Sequence, residues 1–403
     1  MNPEISPKAE AKPSRIMIIA GEASGDLHGG ALAKALLMQN RSIELVGFGG
    51  SAMRKAGVDV RFDIKKLGIV GIFEVLFHFR VIWDAYRVAA KILENGVSLL
   101  VLIDFSGFNL RVAKVAKRLD IPVVYYVSPQ VWAWRAGRVK IIAEYVDQMI
   151  VILPFEKAIY DAARVPCEFV GHPLLDELAQ IQEMPNPKGK ATTASEPTIA
   201  LLPGSRKREV LSLLPTMLAA LEGLRETFPG LRVLIPVASS LPQALIPELV
   251  ADSPLPIELL KTQVYDAFHR ADVAVVASGT ATLQGALAGV PMIVIYKVSW
   301  LSYLVAKYLI HVKAISLANI VADEPFIPEL IQGDASSQRI AREVRRLLED
   351  DAVREKMRQH LAQVAGHLGV PGASERAAEV VYRVLDRKKA QKTVPVAEGS
   401  LSV

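Results

Sequence analysis

The chain alternates along its length between short apolar runs rich in Val and Ile and longer stretches with helical spacing. In the first half the apolar runs are RIMIIAGE, ELVGFGG, SLLVLID, VVYYVSP, QMIVILP and CEFVGHP. Unbroken apolar runs of this kind suit strands buried on both faces. RVAKVAKRL shows the pattern between them, with Val112, Val115, Ala116 and Leu119 on one helical face. Alternation stops at residues 182–197, QEMPNPKGKATTASEP, whose Pro, Ser, Thr and Lys read as a linker. It restarts with TIALLPGS, LRVLIPVA, IELL, DVAVVAS, PMIVIY and AISLANIV, all read as strands. The expected fold class is α/β: two doubly wound, Rossmann-like domains facing across a cleft. The expected divisions are an N-terminal arm (1–14), a first domain (15–181), the linker, a second domain (198–345), C-terminal helices packing back on the first domain (346–390), and a loose tail (391–403).

Composition narrows the classes. The 403 residues are 51% hydrophobic, enough for two cores, and 22% charged, which argues against disorder. A net charge of +5 suits phosphates, an acidic lipid surface or nucleic acid, and equally a somewhat basic soluble enzyme. Cys167 is the single cysteine, so a disulfide framework within the chain and a Cys-rich zinc site are excluded. The opening MNPEISPKAEAKPSR lacks an apolar core, so no secretory signal is expected. No run approaches the roughly 18 apolar residues of a spanning helix.

In an open parallel sheet, ligands collect at the carboxyl ends of the strands, so the turns after each strand carry the chemistry. AGEASGDLHGGAL supplies Glu22, Ser24, Asp26 and His28 among glycines. It reads either as a substrate site or as a helix start capped by Ser24 or Asp26. It is not G-x-G-x-x-G, which disfavours a nicotinamide cofactor. LGIVGIFEVLFHFRVIWDAYRV (67–88) concentrates Phe73, Phe77, Phe79 and Trp83, as a buried helix or a lipid-facing one would. Asp104 ends an apolar strand in LIDFSGFNL, where its carboxylate can act as a general base or cap a helix beginning near Asn109. VSPQVWAWRAGRVK sets Trp132 and Trp134 beside Arg135, Arg138 and Lys140, a patch for stacking on a sugar or nucleobase, or for packing the sheet edge. LLPGSRKREV offers backbone N–H groups and the forked donor of Arg206 without being a Walker A motif. In ASGTATLQ, Ser278, Gly279 and Thr280 sit at the positive end of a helix. Two anion-friendly helix starts in one domain suggest a diphosphate.

Taken together, GEASGD, LGIVGIFEVL, the Asp104 loop with its FN, YVSPQVWAWR, LPFEKAIYDAARVPCEFVGHP, LLPGSR, ASGTATLQ and SLANIV resemble the lipid-A-disaccharide synthases, inverting glycosyltransferases of the GT-B fold. These segments run in order from about residue 15 to about residue 330. The resemblance implies transfer from a UDP-activated 2,3-diacylglucosamine to the 6-hydroxyl of 2,3-diacylglucosamine 1-phosphate. The products are UDP and a β-1′,6-linked disaccharide 1-phosphate. It implies a peripheral protein on the cytoplasmic face of a Gram-negative inner membrane, with no metal, no cofactor and no nucleic acid partner, and a homodimer as one possible assembly. Asp104 is then the first choice of base, with Glu22 and Asp26 as rivals. Ser24, Trp132 and Arg135 are expected to touch substrate. Arg206, Ser278, Gly279, Thr280, Gln284 and Asn319 are expected at UDP, and Phe73, Phe77 and Trp83 at acyl chains or membrane.

Three positions depart from the family pattern. Ser106 and Ala318 stand where proline is common. Gln284 stands where a glutamate usually grips the ribose, and a neutral acceptor makes weaker hydrogen bonds than a charged one. The alternatives are another UDP-GlcNAc enzyme of the same fold, either the muramyl-pentapeptide lipid transferase or a non-hydrolysing epimerase, or a weakened module that binds lipid or UDP.

Overall fold

The computed structural model describes residues 13–66, 79–133, 137–182, 196–261, 264–298 and 314–393. The chain divides into two units, Met1–Asp176 with Pro371–Val403, and Glu177–Val370.

The strands of unit 1 are β1 (Arg15–Ala20), β2 (Glu44–Gly49), β3 (Asp59–Asp63), β4 (Leu99–Ile103), β5 (Val123–Tyr126), β6 (Gln148–Val151) and β7 (Cys167–Phe169). They form one parallel sheet in the order β3-β2-β1-β4-β5-β6-β7. The apolar runs become strands because β4, β5 and β6 are buried from end to end. The order reverses between β1 and β4, which pair directly with Ala20 opposite Ile103. Helices α1 (Ala23–Gln39), α2 (Ser51–Lys55), α3 (Phe79–Glu94), α4 (Ser106–Arg118), α5 (Arg138–Tyr145), α6 (Pro154–Ala162) and α7 (Leu174–Gln182) connect the strands or follow them. On α3, Ala85, Ala89, Ile92 and Leu93 are buried, whereas Arg80, Trp83, Arg87 and Lys91 are exposed. On α4, Val112, Val115 and Ala116 face the core as their spacing predicts, but Leu119 closes the helix and is exposed.

Unit 2 repeats the plan. Its strands are β8 (Thr198–Leu202), β9 (Arg232–Pro236), β10 (Ile257–Leu260), β11 (Val273–Ala277), β12 (Met292–Tyr296) and β13 (Glu329–Ile331). Their order is β10-β9-β8-β11-β12-β13, with the reversal between β8 and β11. Its described residues also form helices α8 (Lys207–Glu222), α9 (Leu245–Val250), α10 (Val264–Arg270), α11 (Ala281–Leu287), α12 (Leu317–Ala322), α13 (Ser337–Glu349) and α14 (Asp351–His367).

Two strand expectations change. AISLANIV is not a strand: Leu317–Ala322 is helical, capped by the Ser316 hydroxyl, which accepts from the Asn319 N–H at 3.2 Å. The edge strand of unit 2 is instead the short Glu329–Ile331, and unit 1 gains an edge strand at Asp59–Asp63. The segment that rejoins unit 1 begins at Pro371, after α14 has packed within unit 2. Helix α15 (Ala373–Thr393) lies on α1, where the Tyr382 hydroxyl donates to the Leu36 carbonyl at 2.7 Å. Asp176, the last residue of the first segment, accepts from the N–H of Gly372 at 2.6 Å and of Ala373 and Ser374 at 3.3 Å. One carboxylate thus ties both chain crossings at the start of α15.

Candidate active site

The reversal of strand order opens a crevice at the carboxyl edge of each sheet, because the neighbouring connections there leave in opposite directions. In unit 1 the flanking turns are Gly21–Glu22 after β1 and Asp104–Phe105 after β4. The turn at Val127 and Ser128 follows β5 alongside, since Ile103 pairs with Tyr126. Asp104, Phe105 and Val127 all adopt left-handed backbone, with φ of 47°, 44° and 63°. That region costs a non-glycine residue about 1–2 kcal/mol, so something must hold it. The Tyr125 hydroxyl donates to the Asp104 carbonyl at 2.5 Å. Asn109 Nδ2 donates to the same carbonyl at 2.7 Å and to that of Ile103 at 3.1 Å. Phe105 in turn fills the space above Gly21, where a Cβ would sit 2.1 Å from its ring. Only glycine fits at residue 21.

This turn holds a half-buried carboxyl at the strand reversal. Burial, and then the negative charge of Glu22, push the Asp104 carboxyl up to about 6, against the pull of the Phe105 N–H. A carboxyl poised there is ionised at neutral pH and basic enough to take a proton from a hydroxyl in flight. Glu22 is exposed at the N-cap of α1, and Ser24 is exposed in its first turn.

Asp26 takes a different place. It is buried and does not cap α1. Its carboxylate accepts from the N–H of Gly50 at 2.6 Å, Ala52 at 2.9 Å and Met53 at 3.1 Å, closing the start of α2. Both of its oxygens are engaged by backbone N–H groups, which ranks it behind Asp104 as a base. His28 lies edge-on to Tyr126 at 6.3 Å, and burial lowers it to about 4, so it packs as a neutral ring. Asp104 does not cap a helix either: α4 starts at Ser106, with Phe105 at its N-cap.

After β5, Trp132 is partly buried and donates its indole N–H to Glu156 Oε1 at 3.3 Å. Its ring meets Phe155 edge-on at 5.3 Å. Burial pushes Glu156 up to about 8 despite that bond and the Leu153 N–H. Ser128 and Tyr160 join the same cluster through hydroxyls 2.7 Å apart. Trp132 therefore fastens the loop to α6. The sequence signal for Glu156 was present in LPFE, a proline and a glutamate in the first turn of a helix. Trp134 and Arg135 lie outside the described residues, as do Phe73 and Phe77. Arg138 is described: it opens α5 and donates from Nη1 to the Ser106 hydroxyl. Ser106 is the first residue of α4, a position that tolerates proline, so the helix does not demand its hydroxyl.

In unit 2 the turns beside the reversal are Gly204–Arg206 after β8 and Ser278–Thr280 after β11, two adjacent strands. Both sequence-predicted anion motifs therefore border one crevice. Arg206 is largely exposed and forms an ion pair with Glu209 at 2.7 Å. Ser278 is already committed, its N–H to the Ile295 carbonyl at 3.1 Å and its hydroxyl to the Ile315 carbonyl at 2.9 Å. The donors in the turn that no described residue engages are the N–H of Gly279, at φ 154° with open space above its Cα, and the N–H and hydroxyl of exposed Thr280. Helix α11 behind them has seven residues, so its dipole is modest and the open backbone carries the argument. Gln284 sits one turn in, half-exposed, and no described residue hydrogen-bonds its side-chain amide.

Asn319 is likewise engaged by the fold. It is buried, and its Nδ2 donates to the Ile327 carbonyl at 2.9 Å and to Glu329 Oε1 at 2.8 Å, while its Oδ1 accepts from the Ile327 N–H at 3.0 Å. Glu329 also accepts from the N–H of Ile315 at 2.8 Å and of Ser316 at 2.9 Å. Asn319 locks the segment next to Ser278, and both protons of its amide are spent on the fold. Glu329 carried no sequence signal, because its partners lie 10 or more residues away.

Residues 16–381 match the family model described as lipid-A-disaccharide synthetase. A lipid-A-disaccharide synthase of Geobacter metallireducens is 45% identical over 383 residues, covering 94% of this chain and 99% of the relative. The chain belongs to this family. Among solved structures, the calicheamicin glycosyltransferase CalG4 superposes with a TM-score of 0.61 at 17% identity, covering 94% of this chain and 99% of its own. A UDP-GlcNAc 2-epimerase from Neisseria meningitidis does so with a TM-score of 0.60 at 12% identity, covering 92% and 100%. At those identities the likeness establishes the GT-B fold alone. Family membership makes the protein a hexosyltransferase and favours that reading over the epimerase and lipid-transferase alternatives. No helix among the described residues is long and apolar enough to cross a membrane.

The contacts of Asp26 generate a stability prediction. Asp26→Asn turns one acceptor into a donor facing backbone N–H groups, which should cost about 1–3 kcal/mol. Chemical denaturation should show the midpoint falling accordingly. An unchanged midpoint would mean that the three N–H contacts do not hold α2.

Proposed function

We propose that this chain transfers the sugar of a UDP-activated 2,3-diacylglucosamine to the 6-hydroxyl of 2,3-diacylglucosamine 1-phosphate. The acceptor oxygen attacks C1 of the donor sugar while Asp104 takes the hydroxyl proton. The bond from C1 to the diphosphate oxygen breaks, and its electron pair leaves with UDP. One displacement inverts the anomeric centre and gives the β-linked disaccharide 1-phosphate. The observation that carries this reading is Asp104, a carboxyl raised to about 6 on a clamped turn at the strand reversal of unit 1. Glu22 ranks behind it as base because it is exposed, and its charge instead raises the basicity of Asp104.

Charge builds on the diphosphate as UDP departs. Arg206 and the backbone N–H groups of Gly279 and Thr280 are the donors suited to receive it, since they flank the strand reversal of unit 2. The guanidinium of Arg206 exchanges its Glu209 partner for phosphate oxygens. Gln284, one turn deeper, takes the ribose. The peripheral inner-membrane location finds support on α3, where exposed Arg80, Arg87 and Lys91 flank exposed Trp83. Basic side chains with an interfacial aromatic suit an anionic leaflet.

Purified protein given both acylated sugars should form disaccharide and UDP. Asp104→Asn should lower turnover by about a hundredfold or more and leave UDP affinity within a factor of about two of wild type. Survival of turnover in that variant, with abolition in Glu22→Gln, would move the base to Glu22. Gln284→Glu supplies a charged acceptor and should tighten UDP binding several-fold, read by calorimetry, with turnover little changed. If neither moves, Gln284 does not touch the ribose.

A further inference from the structure

We infer that Arg138, held by Ser106, binds the 1-phosphate of the acceptor sugar and gives the enzyme its preference for a phosphorylated acceptor. The inference deepens the proposed reaction and rests on it.

Location comes first. Arg138 is the first residue of α5, and its guanidinium donates to the hydroxyl of Ser106, two residues beyond Asp104. Its charge also reaches Tyr125, whose hydroxyl bonds the Asp104 carbonyl at 2.5 Å. The cation therefore shares the strand-end crevice of unit 1 with the proposed base.

The acceptor has the same layout. Its reacting hydroxyl is on C6, attached to C5, and its phosphate is on C1. These two carbons flank the ring oxygen, so one sugar ring separates the group to be deprotonated from the group to be held. A guanidinium is the side chain best shaped for a phosphate, because its planar fork makes paired, charge-assisted hydrogen bonds. Ser106 supplies the anchor that sets the plane of the fork. A proline at that position would fit the helix equally well but would leave Arg138 without the hydroxyl.

A bond between α5 and α4 could instead be a staple between helices. A staple affects folding and treats all acceptors alike, whereas a phosphate site discriminates between acceptors. The experiment compares kcat/KM for 2,3-diacylglucosamine 1-phosphate and for the same sugar without phosphate, in wild type, Arg138→Gln and Arg138→Lys. Wild type should prefer the phosphorylated acceptor. Arg138→Gln should lose that preference through a rise in acceptor KM on the order of ten- to a hundredfold, with the dephosphorylated acceptor and UDP affinity unaffected. Arg138→Lys, which keeps charge but not the fork, should retain part of the preference, and decides the matter if the Gln variant does not fold. Equal losses for both acceptors would reduce Arg138 to a staple, and a rise in donor KM alone would assign it to the diphosphate; either overturns the inference. No disaccharide from wild type with either acceptor overturns the reaction itself, and the inference with it.

Discussion

The left-handed turn at Asp104 and Phe105 is the constraint on which the rest of unit 1 depends. Two consecutive non-glycine residues in that region are costly, and a turn of this kind persists only where its surroundings over-determine it. Here Tyr125 and Asn109 clamp the Asp104 carbonyl, and the Phe105 ring occupies the space that Gly21 leaves open. These partners come from β5, α4 and the turn after β1, so the two paired strands and the helix must all be in place before the carboxyl is aimed. Folding energy from the sheet is thereby converted into the position and basicity of a single side chain.

Unit 2 solves a related problem with less strain at its turns. Its strand reversal brings LLPGSR and ASGTAT side by side, and the donors on offer there are the Arg206 fork and open backbone. The buried polar groups of that region are committed to the fold. Ser278 holds the Ile315 carbonyl, while Asn319 and Glu329 together fix residues 315–327. Asn319 therefore acts on the fold: with Glu329 it holds the segment that Ser278 also bonds.

Much of this was legible from sequence, for a physical reason. Strands buried on both faces must be continuously apolar, so eleven of the twelve runs read as strands are strands, and the turns after them hold the polar residues. AISLANIV misled because a short apolar run does not separate strand from helix, and Ser316 was the overlooked cap. Sequence offered Asp26 as a rival base from its place in a glycine-rich turn, and the family resemblance put Asn319 at UDP. Their actual partners, Gly50 to Met53 and Ile327 to Glu329, are long-range, and a linear reading cannot see where a carboxylate or amide spends its hydrogen bonds. Arg138 is the opposite case: it was visible as one cation in a patch, and only the bond to Ser106 singles it out.

The central claim is that burial and the charge of Glu22 make Asp104 the base. The most direct measurement is the pH dependence of kcat/KM in wild type and in Glu22→Gln. Below its pKa Asp104 is protonated and cannot accept a proton, so activity should rise with pH through about 6 in wild type. Removing Glu22 deletes the second cause of the shift and leaves burial, so the acid limb should move to lower pH while staying above the ordinary aspartate range. An acid limb that does not move when Glu22 is replaced, or one that vanishes with Glu22 and persists in Asp104→Asn, would contradict the account.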